Sequence, residues 1–204
     1  MSAFDDRYGE LVSHIGAIGT EFIAPYLPAD PSVSPVDYEL SVKAYCLLAH
    51  AAIEEYLESV ALGVMIACID NWTVSRKYAD SLTTLVARYG LTFEVVEKNV
   101  AYEKRVVDHL KELFDEAKRR FSQDVFDNNG ISIDYLKQLF LPLAIDIDSD
   151  VNVINSINKL SKERGSYAHK GGARVVLSPE DARNFVVDCL KLCEDIRIKA
   201  NTKL

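Results

Sequence analysis

Cysteine is scarce: 4 residues in 204, at positions 46, 68, 189 and 193. A secreted disulfide scaffold is shorter and far denser in cysteine, so that class is excluded. Glycine (9) and proline (6) are too few for a low-complexity or collagen-like chain. No long apolar stretch exists either. The longest, Val60 to Ile69, falls well short of the ~20 residues a membrane span needs. The start, Met1-Ser-Ala-Phe-Asp-Asp, is acidic and has no apolar segment of the kind a signal peptide carries. A cytoplasmic protein with reduced thiols and no membrane partner is expected. There is no Gly-rich phosphate loop, no G-x-S-x-G and no H-E-x-x-H, so nucleotide-dependent chemistry has no support. Basic charge is in deficit, with a net charge of −8, which weighs against a protein that coats nucleic acid.

What is present is globular: 49% hydrophobic and 26% charged residues, in a chain long enough to bury a core without metal or disulfides. Apolar spacing is helical almost throughout. Phe4, Tyr8, Leu11, Ile15, Ile18 and Phe22 step by three and four and predict a first helix to about Ile23. Pro25, Pro28, Pro31 and Pro35 then predict an extended linker. Ser34-Pro35-Val36-Asp37 carries the signals of a helix start. The helix it opens should run to about Ile69, be surrounded by apolar residues, and lie centrally. Asn71 to Arg76 reads as a loop. A short helix ends at Gly90, and another stretch runs from Val95 to Phe121. Lys111, Glu112, Glu116, Lys118, Arg119 and Arg120 there read as a solvated face laced with ion pairs. Asp127 to Gly130 is a turn. Ser132 starts a short helix that stops at Pro142, and Asp148 or Ser149 caps the next. Ser178-Pro179-Glu180-Asp181 opens the last helix. Only Arg174 to Leu177 hints at a strand. The fold class is all-α, as an N-terminal helix and Pro-rich linker (1–34) followed by a helical domain (35–204).

The informative segment is Lys159 to Gly172, which sets Arg164 and His169 five residues apart. Histidine exchanges protons near neutral pH, and arginine offers a permanent forked donor to phosphate oxygens. Together they are the minimum for metal-free RNA cleavage. Residues five apart on an ideal helix point ~140° from each other. Gly165 lies between them, so a kink or helix end is expected near Gly165 and Ser166; alternatively, the two groups meet across a two-fold axis.

Arg164-Gly-Ser-Tyr-Ala-His169 resembles the R-x(4–6)-H motif of HEPN domains. Asn129-Gly-Ile, Leu136 through Leu143 and Ile154 through His169 are similar to the RiboL-PSP-associated branch. Ala49 through Leu57 resembles the long helix near the start of those domains. The resemblance spans roughly Val36 to Lys199. It implies an HEPN-like helical bundle, a homodimer, and a metal-independent endoribonuclease without a cofactor, acting as a toxin or antiviral defence effector on an RNA substrate. Arg164 and His169 would face their symmetry mates in one cleft. A cognate antitoxin or defence partner would regulate it. Some HEPN toxins carry a Tyr two residues beyond the His, to which an antitoxin adds nucleotides; this chain has Gly171 there, so that modification is not carried over.

Other constellations read more simply. His50, Glu54 and Glu58 stand four apart and fit a helix-surface pair better than a metal site. An intermediate reading has Glu54 or Glu55 orienting Arg164 or His169, with Ser166 in support. Cys46/His50 and Cys189/Cys193 lack tight knuckle spacing and read as core. Asp146-Ile-Asp148-Ser-Asp150 has Val151 where a calcium loop needs Gly, and is rejected; no metal site is expected. Lys159, Lys162, Lys170 and Arg174 surround the motif as a basic island, opposed only by Glu163, within an otherwise more acidic chain. They would contact an RNA backbone. The rival reading is a catalytically silent HEPN module for dimerisation or partner binding, favoured by the acidic surface and by Gly165, a place often polar in active members.

Overall fold

The computed structural model describes residues 2–30, 32, 34–92, 102–127, 130–147, 150–170 and 177–204, with the backbone alone at 102–105 and 165–170. Among these residues are seven α-helices and no strand: α1 (Ala3–Phe22), α2 (Pro35–Ser75), α3 (Asp80–Arg88), α4 (Tyr102–Asp127), α5 (Ile133–Phe140), α6 (Val151–Lys170) and α7 (Pro179–Asn201). The chain is an all-α bundle.

Helix α2 is the spine. Its 41 residues span about 60 Å at 1.5 Å per residue. Buried side chains run from Val42 through Tyr45, Ile53, Leu57, Val64 and Cys68 to Trp72. It therefore packs against α1, α3, α4, α5, α6 and α7. Ser34 is the residue before the first turn and Pro35 the first helical residue, as the sequence indicates, although the Ser34 hydroxyl makes no capping bond. The far end differs from expectation. Asn71 to Ser75 is helical, and α2 stops only at Arg76, in the left-handed region at φ 57°. Trp72 is the reason. Its ring stands edge-on to Phe114 of α4 with centroids 4.8 Å apart, and that packing holds the extra turn.

Helix α1 lies on α2 and α7. Phe4, Leu11, Ile15 and Ile18 form its buried face, the stripe the spacing predicts. After it, Ala24–Tyr26 forms a 3-10 turn around Pro25, so the linker is not extended throughout. Helix α4 continues past Phe121 to Asp127 because Val125 keeps the buried register of Phe114, Ala117 and Phe121. Its outer face carries the ion pairs expected: Glu116 accepts from both Arg119 (2.8 Å) and Arg120 (2.6 Å), and these hold its carboxyl down at about 2. Residues 95–101 of that predicted stretch lie outside the described residues.

Helix α5 ends in a 3-10 turn, Leu141–Leu143, containing Pro142. Helix α3 satisfies the carbonyls that turn leaves open: Ser81 Oγ donates to Leu143 O at 2.6 Å and Thr84 Oγ1 to Pro142 O at 2.7 Å. Asp150 stands just before α6, its carboxylate accepting from the Asn152 N–H at 2.6 Å; Asp148 and Ser149 lie outside the described residues. Helix α7 opens at Ser178, whose hydroxyl accepts from the Asp181 N–H. Helices α6 and α7 pack side by side, joined by the 2.7 Å bond from Ser156 Oγ to Asp188.

Helix α6 is continuous through Gly165 to Lys170. The expected break there is absent. A glycine inside a helix costs ~1 kcal/mol, and the buried Ile157 and Leu160 anchoring α6 each contribute more than that.

Candidate functional site

A polar cluster interrupts the apolar core where α2 meets α5 and α6. Helix α2 supplies His50, Glu54 and Glu58, one turn apart. Helix α6 supplies Arg164, α5 supplies Tyr135, and the segment entering α5 supplies Gly130. Arg164 Nη2 stands 3.8 Å from Glu54 Oε2, and His50 Nδ1 stands 3.5 Å from the same oxygen. Exposure falls along this row: the side chains are 37% exposed for Arg164, 15% for Glu54 and 1% for His50. Neither ring nitrogen of His50 has a hydrogen-bond partner, and the Tyr135 hydroxyl is also buried without one. Gly130 has φ 143°, a conformation that side chains resist. A Cβ there would meet Arg164 Nη1 at 4.0 Å, an ordinary contact, so the backbone angle and not lack of space is what asks for glycine here.

The charges follow from these contacts. Burial pushes the Glu54 carboxyl up. The His50 imidazole close by, the Arg164 charge and the Gly130 N–H together overcome it and leave the group below its ordinary value. Glu58, one turn on, is pushed the other way, by burial and then by the charges of Glu54 and Glu55. Burial also raises the Tyr135 phenol, with Glu58 and Glu54 adding to it and Arg164 opposing. One carboxylate of the cluster is thus held ionised beside a fixed cation. The arrangement can present a guanidinium, oriented from beneath, to an anion arriving from solvent.

The sequence leaves Glu54 and Glu55 undecided as support, and the geometry separates them. Glu54 faces Arg164. Glu55 is exposed and lines the groove between α1 and α2 with Arg7, Glu10 and His14. Lys159 Nζ lies 4.9 Å over the Phe185 ring of α7. Lys162 is exposed on α6. Ser166, His169 and Lys170 belong to the helical backbone of α6, but their side chains lie outside the described residues, as does Arg174 altogether. The hinted strand at 174–177 lies there too, except for Leu177.

His50 is the residue that sequence reasoning misplaced. The i, i+4 spacing with Glu54 suggests a surface pair, whereas the ring is buried. Gly130 and Tyr135 were missed as members of the cluster. The Asn129-Gly130 turn signal marked the bend, and nothing in the sequence aims Tyr135 at it. The four cysteines are free and buried, and burial raises the thiols of Cys46 and Cys189 to about 12. Among the described residues, no group of three or more His, Cys, Asp or Glu side chains could hold a metal ion. No helix among them is long and apolar enough to cross a membrane.

The family described as RiboL-PSP-HEPN matches residues 7–202. No curated protein matches the chain, and no solved structure does.

Proposed function

The chain belongs to the RiboL-PSP-HEPN family, and on that premise we propose that it is a metal-independent endoribonuclease acting through Arg164 and His169 at a dimer interface. HEPN domains are often ribonucleases and generally dimerise. The observation that carries the dimeric reading is the continuity of α6 through Gly165. On one unbroken helix, residues 164 and 169 are ~140° apart around the axis. A phosphate touching both takes the arginine from one copy and the histidine from the other.

Each group has a separate task. The Arg164 guanidinium holds the non-bridging oxygens of the scissile phosphate and offsets the charge that builds there. The 2′-hydroxyl attacks phosphorus as its proton leaves, the bond to the 5′-oxygen breaks, and that oxygen takes a proton. His169 serves as acid or base in this exchange. The products are a 2′,3′-cyclic phosphate and a 5′-hydroxyl. Lys159, Lys162, Lys170 and Arg174 contact the RNA backbone without reading bases. The cellular role proposed is that of a toxin or antiviral defence effector, held in check by a cognate antitoxin or defence partner.

The test is cleavage of single-stranded RNA in EDTA, with the cyclic phosphate identified at the product end. His169→Ala and Arg164→Ala should each lose about 100-fold or more. A His169→Ala protein that cleaves as well as wild type overturns the assignment.

One observation favours the second reading, a silent module for dimerisation or partner binding. Arg164 is drawn to a carboxylate, Glu54, and ion pairing is also the ordinary structural use of an arginine. In that case wild type and His169→Ala behave alike in a growth assay, and RNA binding is weak at physiological salt.

A further inference from the structure

We infer that His50 is a positioning residue for Arg164, acting through Glu54: it takes up the Glu54 carboxylate when Arg164 turns to a phosphate. This rests on the ribonuclease reading and deepens it.

The first observation is an imidazole where a hydrocarbon would serve the core better. His50 is 1% exposed and neither nitrogen is hydrogen-bonded. A buried donor left unmade costs free energy that an apolar side chain of similar shape does not. The second is the sharing of one atom. Glu54 Oε2 lies 3.5 Å from His50 Nδ1 and 3.8 Å from Arg164 Nη2. Neither distance is that of a tight hydrogen bond, so the oxygen is poised between two donors on two helices.

A phosphate that draws Arg164 outward removes the cation from a carboxylate only 15% exposed. An uncompensated charge there opposes the exchange. A short turn of Glu54 towards His50 converts the 3.5 Å approach into a charge-assisted N–H···O bond. The Gly130 N–H also favours the ionised carboxylate. The carboxylate then keeps a partner in both states, and Arg164 is free to change its own. His50 touches no substrate. Its effect belongs to phosphate binding, not to proton transfer.

The test compares wild type, His50→Leu, His50→Asn and His50→Gln on a short single-stranded RNA in EDTA, reading kcat and KM separately, with thermal midpoints alongside. Asparagine keeps an N–H donor near the place of Nδ1; glutamine carries it towards the place of Nε2, away from Glu54. Leucine should raise KM about tenfold with kcat within about twofold and a midpoint equal to or above wild type, the size of effect one hydrogen bond to a charge supplies. Asparagine should return KM to within about threefold of wild type, and glutamine should not. A leucine variant with wild-type KM overturns the inference. If leucine prevents folding, asparagine and glutamine variants with equal KM overturn it instead. A wild-type protein that cleaves no RNA overturns the ribonuclease reading itself, and this inference with it.

Discussion

Arg164 of α6 and Glu54 of α2 stand 3.8 Å apart, 110 positions distant in sequence, and tie the two helices at the edge of the core. The pair sits at an end of the polar row that descends to His50. The arginine is therefore the outermost member of an arrangement whose other groups are fixed by packing.

Mixing variants tests whether the site is shared between copies. Arg164→Ala and His169→Ala proteins, each inactive alone, should recover about a quarter of wild-type activity when mixed and allowed to exchange subunits. Half the dimers are then mixed, and each holds one intact site. Cleavage assays before and after exchange measure this. A mixture as inactive as its components would assign both groups to one chain.

Glu58 should destabilise the protein at neutral pH. Its carboxyl is pushed above the ordinary value by burial and by the neighbouring glutamates, so ionisation costs more in the folded state than in the unfolded one. Glu58→Gln should raise stability at pH 7 by a few tenths of a kcal/mol, about the scale of one like-charge pair on a helix. The gain should fade as pH falls through the folded-state value, where the wild-type group is itself neutral. Denaturant midpoints at pH 7 and pH 4 would show it; an equal gain at both would mean that charge is not the cause.

Glycines on α1 and α2 should respond oppositely to alanine. A Cβ at Gly63 would lie 2.7 Å from Cε1 of Phe4, and Phe4 is buried. The helix-propensity gain of ~1 kcal/mol is outweighed by an overpacking cost of about 1–3 kcal/mol, for a net loss of about 1 kcal/mol. Gly9 and Gly16 have nothing within 4 Å of the added atom, and alanine at either should stabilise by about 0.5–1 kcal/mol. Urea unfolding of the three variants decides this; a stabilised Gly63→Ala would show that Phe4 yields freely.

Arg197→Ala should loosen α1 selectively. Arg197 pairs with Asp5 and lies 5.3 Å from the Tyr8 ring, Asn201 donates to Asp5 at 3.1 Å, and Ser2 donates to Asn201 at 2.6 Å. These contacts clasp the start of α1 to the end of α7. Hydrogen exchange should quicken over the first turns of α1 while the middle of α6 keeps its protection. Unchanged exchange in α1 would show that its apolar face alone docks it.

Much of the fold was legible because it follows from local chemistry. The starts of α2 and α7, at Ser34-Pro35 and Ser178-Pro179, and the buried stripe of α1 need no tertiary information. What was misjudged depends on distant partners. The last turn of α2 persists through Trp72, whose partner Phe114 lies on another helix. The break expected at Gly165 reflects intrinsic propensity, which packing of α6 overrides. The choice of Glu54 over Glu55 depends on where α6 comes to lie, since consecutive residues on a helix face ~100° apart. His50 shows the limit most plainly: its spacing from Glu54 is the same in a surface pair and in a buried row, and only the neighbours of α2 distinguish them.

Helix α2 makes the candidate site a matter of measure as well as of chemistry. It is a single rod gripped along its length by six other helices, so the height and azimuth of Glu54 are set by contacts far from it. Replacing a side chain on this rod alters one address. Adding or removing one residue before Glu54 would rotate the remainder of the helix by ~100° and shift it by ~1.5 Å, taking the carboxylate away from Arg164 or the lower core away from α4. Length along this helix is therefore held more tightly than identity, and drift in the family should enter α2 by substitution, with insertions confined to the segments between helices.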